Sequence, residues 1–331
     1  MKYTTKAIQS AYSELERRRQ SAMAEQAANV SLIEKGYPEI YSVYCGITNT
    51  AKRLAEAVFS KEGNTIEKVD AIRRENLAAQ EKLSKLLTSF GFPQDFLMIK
   101  YSCPKCFDTG VCLGNRCECV TSLLTKYTIE ELNEQCKIKL HSFCEFNLGY
   151  YPETVSYNGK QVKCRERMEE NLKFCIDYSK NFTPSSPGIF MLGGTGLGKT
   201  FLSSCIASEL IKKGFTVAFD SIQNYLRNIE REHFGRAEGD TLELLLSADL
   251  VILDDLGCEF SSSFNSSVIY NLINSRCNMS KPTIVSSNLD ISQLSDKYDQ
   301  RIVSRLIGAF RTLRFLGEDI RQIKMRQGIF D

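Results

Sequence analysis

The chain has 331 residues, 43% of them hydrophobic and 25% charged, with a formal net charge of +2. This composition suits a globular protein of two or three domains and excludes a disordered, collagen-like or small disulfide-stapled chain. A charge so near neutral argues neither for nor against nucleic acid, so any contact with DNA must come from local patches.

The opening segment MKYTTKAIQSAYSELERRRQ has no apolar h-region, and no stretch of about 18 apolar residues occurs, so a cytoplasmic chain with no signal peptide or membrane span is expected. Residues 1–98 are rich in Ala, Glu, Lys, Arg, Gln and Leu and poor in glycine, which predicts a helical region. Val69, Ile72, Leu83, Leu86, Leu87 and Phe90 recur at helical spacing as a packing face, and Gly91-Phe92-Pro93 ends it.

Residues 99–122 hold five of the thirteen cysteines. Cys103 and Cys106 make a C-x-x-C corner, Cys117 and Cys119 a C-x-C corner, and Gly110 and Gly114 allow the turn between them. Four thiolates suit the tetrahedral, soft coordination that Zn²⁺ prefers, with Cys112 to spare; a redox pair or an iron–sulfur cluster is the alternative. A zinc of this closed kind staples a small module. Residues 123–164 are expected to be a linker leading into the next domain, with a helix near 122–140 and a connector at 141–151.

From residue 165 to 331 strands and helices alternate. Apolar runs at 188–192, 217–220, 250–253 and 283–286 predict buried parallel strands, with amphipathic crossover helices between them. Gly193-Gly194-Thr195-Gly196-Leu197-Gly198-Lys199-Thr200 fits G-x-x-x-x-G-K-[ST] between a strand and the apolar helix 201–211. Glycines let successive N–H groups face phosphate oxygens, the helix N-terminus adds its dipole, Lys199 reaches the β- and γ-phosphates, and Thr200 can ligate Mg²⁺. ATP with Mg²⁺ is the expected ligand. Leu250–Leu253 ends in Asp254, placed to join the Mg²⁺ shell, and Asp255, placed to polarise the attacking water. Asn288, after the strand ending at Ser286, can reach the γ-phosphate. Arg301 and Arg305 share one helix face and suit donation to a neighbouring subunit's γ-phosphate; Arg321 suits an approach within the chain.

These segments resemble the DnaC/DnaI helicase loaders and the related IstB-like ATPases. The resemblance rests on GGTGLGKTFL at 193–202, LVILDDLGCE at 250–259, TIVSSNL at 283–289, RIVSRL at 301–306 and GEDIRQ at 317–322. HSFCEFNLGYY at 141–151 and YSCPKCFDTG with RCEC, over 101–119, add to it; residues 1–90 share only helical character. The resemblance implies an AAA+ P-loop NTPase fold, α/β with a parallel sheet sandwiched by helices, preceded by the helical and zinc-binding N-terminal region. It implies that residues 1–98 bind a hexameric replicative DNA helicase, that the AAA+ domain self-associates, and that the ATP-bound ring holds single-stranded DNA. It makes Arg305 the arginine finger, Arg321 the sensor-2 arginine and Asn288 sensor 1. Phe234, and Phe264 after it, stand where family members stack aromatics on bases. Many relatives carry Glu where this chain has Asp255; the missing methylene implies slow hydrolysis, as suits a switch. Two other readings compete with the loader: a transposition helper of the IstB kind, which typically lacks the zinc region, and a nucleotide-binding adaptor without turnover.

Overall fold

In the computed structural model the described residues are 3–59, 65–135, 139–157 and 159–328. The N-terminal helical stretch is broken into α1 (Thr5–Gly36), α2 (Pro38–Thr48), α3 (Thr50–Phe59) and α4 (Thr65–Ser89). The first break follows from Pro38, which lacks an N–H and sits where a helix start needs none. Leu87 is fully buried with Ile33, Ile40 and Leu97, and Leu83 and Leu86 flank them. Phe90 of the expected face is half exposed, with its ring edge-on to Tyr37 at 5.3 Å. Strands β1 (Val111–Cys112) and β2 (Asn115–Arg116) form a small antiparallel hairpin among the clustered cysteines. Residues 11–121 make one compact unit, so the cysteine segment belongs with the helices before it.

Residues 1–10 and 122–331 make the second unit. Helix α5 (Glu118–Gln135) begins four residues earlier than the sequence suggested, with Glu118 in its first turn where an acid favours the helix dipole. Its later part is no linker. Ile129 is buried in the core of the second unit, and Asn133 hydrogen-bonds a strand edge described below. Two 3-10 turns, Phe143–Glu145 and Leu148–Tyr150, follow. A hairpin of β3 (Thr154–Tyr157) and β4 (Lys160–Lys163), absent from the sequence reading, precedes α6 (Cys164–Lys180).

The next elements are β5 (Gly188–Leu192), α7 (Lys199–Lys212), β6 (Val217–Ser221), α8 (Ile222–His233), α9 (Thr241–Ser247), β7 (Leu250–Leu256), α10 (Ser263–Asn278) and β8 (Thr283–Ser287). The chain continues through α11 (Ile291–Lys297), α12 (Gln300–Ala309), β9 (Phe310–Arg314) and α13 (Ile320–Arg326). The five long strands form one parallel sheet in the order β6-β7-β8-β5-β9. Strand alternation splits the core in two. Phe190, Leu192, Val251, Leu253 and Val285 face α8 to α12, whereas Ile189, Met191, Phe219, Ile252 and Ile284 face α6 and α7. All four apolar runs are strands. The fifth, β9, was not read from sequence: as an edge strand it buries Phe310 and Leu313 but exposes Arg311 and Arg314. This is an α/β sandwich, one parallel sheet between two layers of helices, with the 193–200 loop leaving the end of β5. Among the described residues no helix is long and apolar enough to cross a membrane.

Candidate nucleotide site

The C-terminal ends of β5, β8 and β7 lie side by side, and the loops leaving them meet in one polar cluster. The P-loop reverses the chain after β5. Gly198 caps α7 at φ +91°, a left-handed conformation costly for other residues, and a Cβ there would meet the Tyr151 hydroxyl at 2.8 Å. Tyr151 in turn donates to the Leu197 carbonyl at 2.9 Å and so fixes the turn from the connector side.

Lys199 is 4% exposed. Its Nζ donates to the carbonyls of Gly193 (2.6 Å) and Gly194 (2.7 Å) and to Asn288 Oδ1 (2.6 Å). Asn288 Nδ2 donates to Asp255 Oδ1 at 3.0 Å. One side chain therefore links the lysine expected to bind phosphate to the acid expected to orient water. The Thr200 hydroxyl donates to Asp254 Oδ2 at 2.8 Å, pairing the two residues expected to hold Mg²⁺. Burial pushes the Asp254 carboxyl above the usual carboxylate range, against hydrogen bonds from Ser286 and Thr200. Burial likewise holds the Lys199 ammonium below its usual range, against Asp255 and Asp254, while Arg321 lowers it further. A divalent cation at Asp254 and a polyphosphate at Lys199 would each favour the charged form, so the donor set fits Mg–ATP.

Ser286 was not singled out from sequence and sits at the centre. It is fully buried in β8, between the P-loop strand and β7. Its hydroxyl donates to Asp254 Oδ1 at 2.5 Å and accepts the Asp255 N–H at 2.9 Å. The β7–β8 register shifts between Leu253 and Leu256, and Asp255 adopts φ +56°. The shift is a bulge that re-aims the second acid at the cost of local strain. The available signal was a pair of serines closing a fully buried strand.

A cavity of about 480 Å³ opens beside the P-loop. Thr195 to Phe201, Asp255, Asn288 and Arg321 line one part; His141, Phe146, Tyr150, Ile320 and Lys324 line the rest. His141 stacks on Phe201 (centroids 4.4 Å, planes 25° apart) and pairs with Glu145 at 2.9 Å. Phe146 packs on Tyr151 and Phe201. These rings give the cavity an apolar wall fit for a nucleobase. They come from the 141–151 connector, noted in the sequence for its resemblance alone.

Arg321 reaches the cavity from its own chain at the start of α13. Arg301 and Arg305 stand on the exposed face of α12 and do not line it. Phe234 and Phe264 meet each other and His233 at centroid distances of 6.0, 5.1 and 5.2 Å, and the Arg236 guanidinium lies 5.9 Å from the Phe234 ring. Phe234 is 58% exposed, away from the cavity.

In the other unit, the sulfurs of Cys103, Cys106, Cys117 and Cys119 all lie within 4.8 Å of one another, and Cys112 is outside the group. Cys103 and Cys117 are 3.8 Å apart, Cys106 and Cys119 3.4 Å. A tetrahedral metal with sulfur at about 2.3 Å needs sulfurs about 3.8 Å apart, so the four thiols could hold a metal ion. Buried Asp108 accepts the N–H groups of Ser102 (2.8 Å) and Cys103 (2.9 Å) and sets the first corner. Hydrogen bonding from the Cys106 N–H holds the Cys103 thiol down to about 7, and burial pushes Cys119 up.

Residues 171–322 match the IstB-like ATP binding protein family. The replicative helicase loader DnaC of Escherichia coli (strain K12) is 21% identical over 156 residues, 46% of this chain and 63% of the relative. The replicative helicase loader DnaI of Bacillus subtilis (strain 168) is 28% identical over 126 residues, 37% of this chain and 40% of the relative. A crystal structure of the DnaC helicase loader aligns with a TM-score of 0.44 at 22% identity, covering 53% of this chain and 98% of that one. The chain thus spans less than two thirds of the length of these two curated relatives. The stretch that carries the P-loop, residues 171–322, is thus similar to the IstB-like ATP binding proteins and to the DnaC and DnaI loaders.

Proposed function

We propose that this protein loads a hexameric replicative DNA helicase onto single-stranded DNA, with ATP binding and weak hydrolysis as its switch. The carrying observation is the side-chain chain from Lys199 through Asn288 to Asp255, which supports a site that senses the third phosphate. Gly193 to Thr200 hold the phosphates, Thr200 and Asp254 hold Mg²⁺, and Asp255 orients water with Asn288. Arg321 steadies the γ-phosphate in cis. Arg305, outside its own cavity, acts on a neighbour's nucleotide and ties ATP to self-association. Phe234 and Phe264, beside Arg236, offer stacking surface to unpaired bases. Zn²⁺ on the four cysteines would keep residues 99–122 folded with the helices of 1–98, the region that docks the helicase.

The test is direct mixing with the replicative helicase of the same host, read by size-exclusion chromatography. A stable complex without ATP, lost when residues 1–120 are removed, supports the loader. Indifference to the helicase together with capture of a transposase encoded beside it would favour a transposition helper. Phosphate release with and without single-stranded DNA separates the switch from an adaptor, which would bind ATP and release none.

A further inference from the structure

The loop leaving Asp254 and Asp255 is tied to the segment that leads into α12, the helix of Arg301 and Arg305. Leu256 and Gly257 follow Asp255 directly, and Glu259 lies two residues further on. Glu259 is 4% exposed. Its carboxylate accepts the Gly257 N–H at 2.9 Å and a short hydrogen bond from the Tyr298 hydroxyl, with Lys297 Nζ at 3.3 Å. Lys297 Nζ also donates to the carbonyls of Gly257 (2.5 Å) and Glu259 (2.8 Å). The loop is thus gripped through both its N–H and C=O groups by the end of α11. Asp299, the residue after Tyr298, caps α12 by accepting the Arg301 N–H at 2.8 Å. α12 buries Ile302, Val303 and Leu306 and turns Arg301 and Arg305 outward.

Burying a carboxylate is costly unless its partners are complete, and here they are supplied by two segments with separate tasks. One leaves Asp255, which lines the cavity; the other leads into α12, which carries Arg301 and Arg305 on its exposed face. We propose that Glu259 and Tyr298 are positioning residues that link the Asp255 turn to α12, so that the nucleotide held by one subunit sets the aim of the arginine it offers to the next. This rests on the ATP-switch reading above.

Four full-length chains decide it: the parent, Y298F, R305A and the double variant. Phosphate release gives kcat and KM, a fluorescent ATP analogue gives affinity, and thermal melting checks the fold. Y298F should lower kcat at least about fivefold with KM within about twofold, and should cost nothing further in the R305A background. Independent losses that multiply in the double variant, or Y298F turning over like the parent, would overturn the link while leaving the ATP site intact. If the parent binds ATP without releasing phosphate, ATP-dependent self-association by sedimentation reads the same cycle with the same expected non-additivity. A parent chain that binds no ATP would overturn the underlying reading and this link with it.

Discussion

Ser286 holds both acids of the site with one hydroxyl, donating to Asp254 and accepting from the Asp255 N–H. Replacing it with alanine leaves a buried carboxylate oxygen and a buried N–H without that partner. Ser286→Ala should cost about 1–3 kcal/mol in a denaturant melt. It should also lower phosphate release roughly tenfold with ATP affinity little changed, because the strained turn at Asp255 loses its anchor. Parent-like turnover in that variant would remove Ser286 from the site. Asp255 itself makes a second case. If its short side chain limits hydrolysis, Asp255→Glu should raise turnover several-fold, on the order of 1 kcal/mol in the barrier; a fall would show that the bulge is built around aspartate. Sequence pointed to Lys199, Thr200, Asp254 and Asp255 because phosphate and Mg²⁺ chemistry calls for those types at that spacing, and the fold brings the four together with Asn288. It could not show Ser286, Glu259 or His141, whose roles arise from pairings between strands, loops and a connector far apart in the chain. Nor could it show that Asp255 sits at positive φ.

The four strands read from sequence, the edge strand β6 among them, are buried on both faces and therefore mostly apolar. The strand that was missed, Phe310-Arg311-Thr312-Leu313-Arg314, is an edge strand whose exposed arginines interrupt that pattern. At the opposite edge, β6 is covered by α5. Asn133 Nδ2 donates to the Val217 carbonyl at 2.5 Å and its Oδ1 accepts the Phe219 N–H at 3.1 Å, a side-chain substitute for another strand. Asn133→Ala should therefore destabilise the unit that carries the P-loop by about 1–3 kcal/mol and promote aggregation, measured by urea unfolding and light scattering. A silent substitution would mean the edge tolerates water. This contact explains why a segment that looked like a linker is part of the folded unit: a helix sealing a sheet edge has no motif to announce it. In the cysteine hairpin, Cys106→Ser should release about one zinc equivalent per chain to a colorimetric chelator and lower the melting temperature of residues 11–121. Cys112→Ser should do neither, since Cys112 stands apart from the four clustered sulfurs.

For the whole molecule, the chain falls into two compact units: helices with a cysteine-rich hairpin, and an α/β unit that carries the P-loop. Everything proposed for the second unit, from the aim of Arg305 to the stacking face at Phe234, depends on a nucleotide seated between the 193–200 turn and Asp254. Isothermal titration of ATP with Mg²⁺ into the parent chain and into Lys199→Ala tests that most directly, with thermal melting as the control for folding. Lys199 supplies the point charge for the phosphates, so its loss should weaken ATP affinity at least about 100-fold, near 2.7 kcal/mol. A folded Lys199→Ala chain that binds ATP as tightly as the parent would contradict the account.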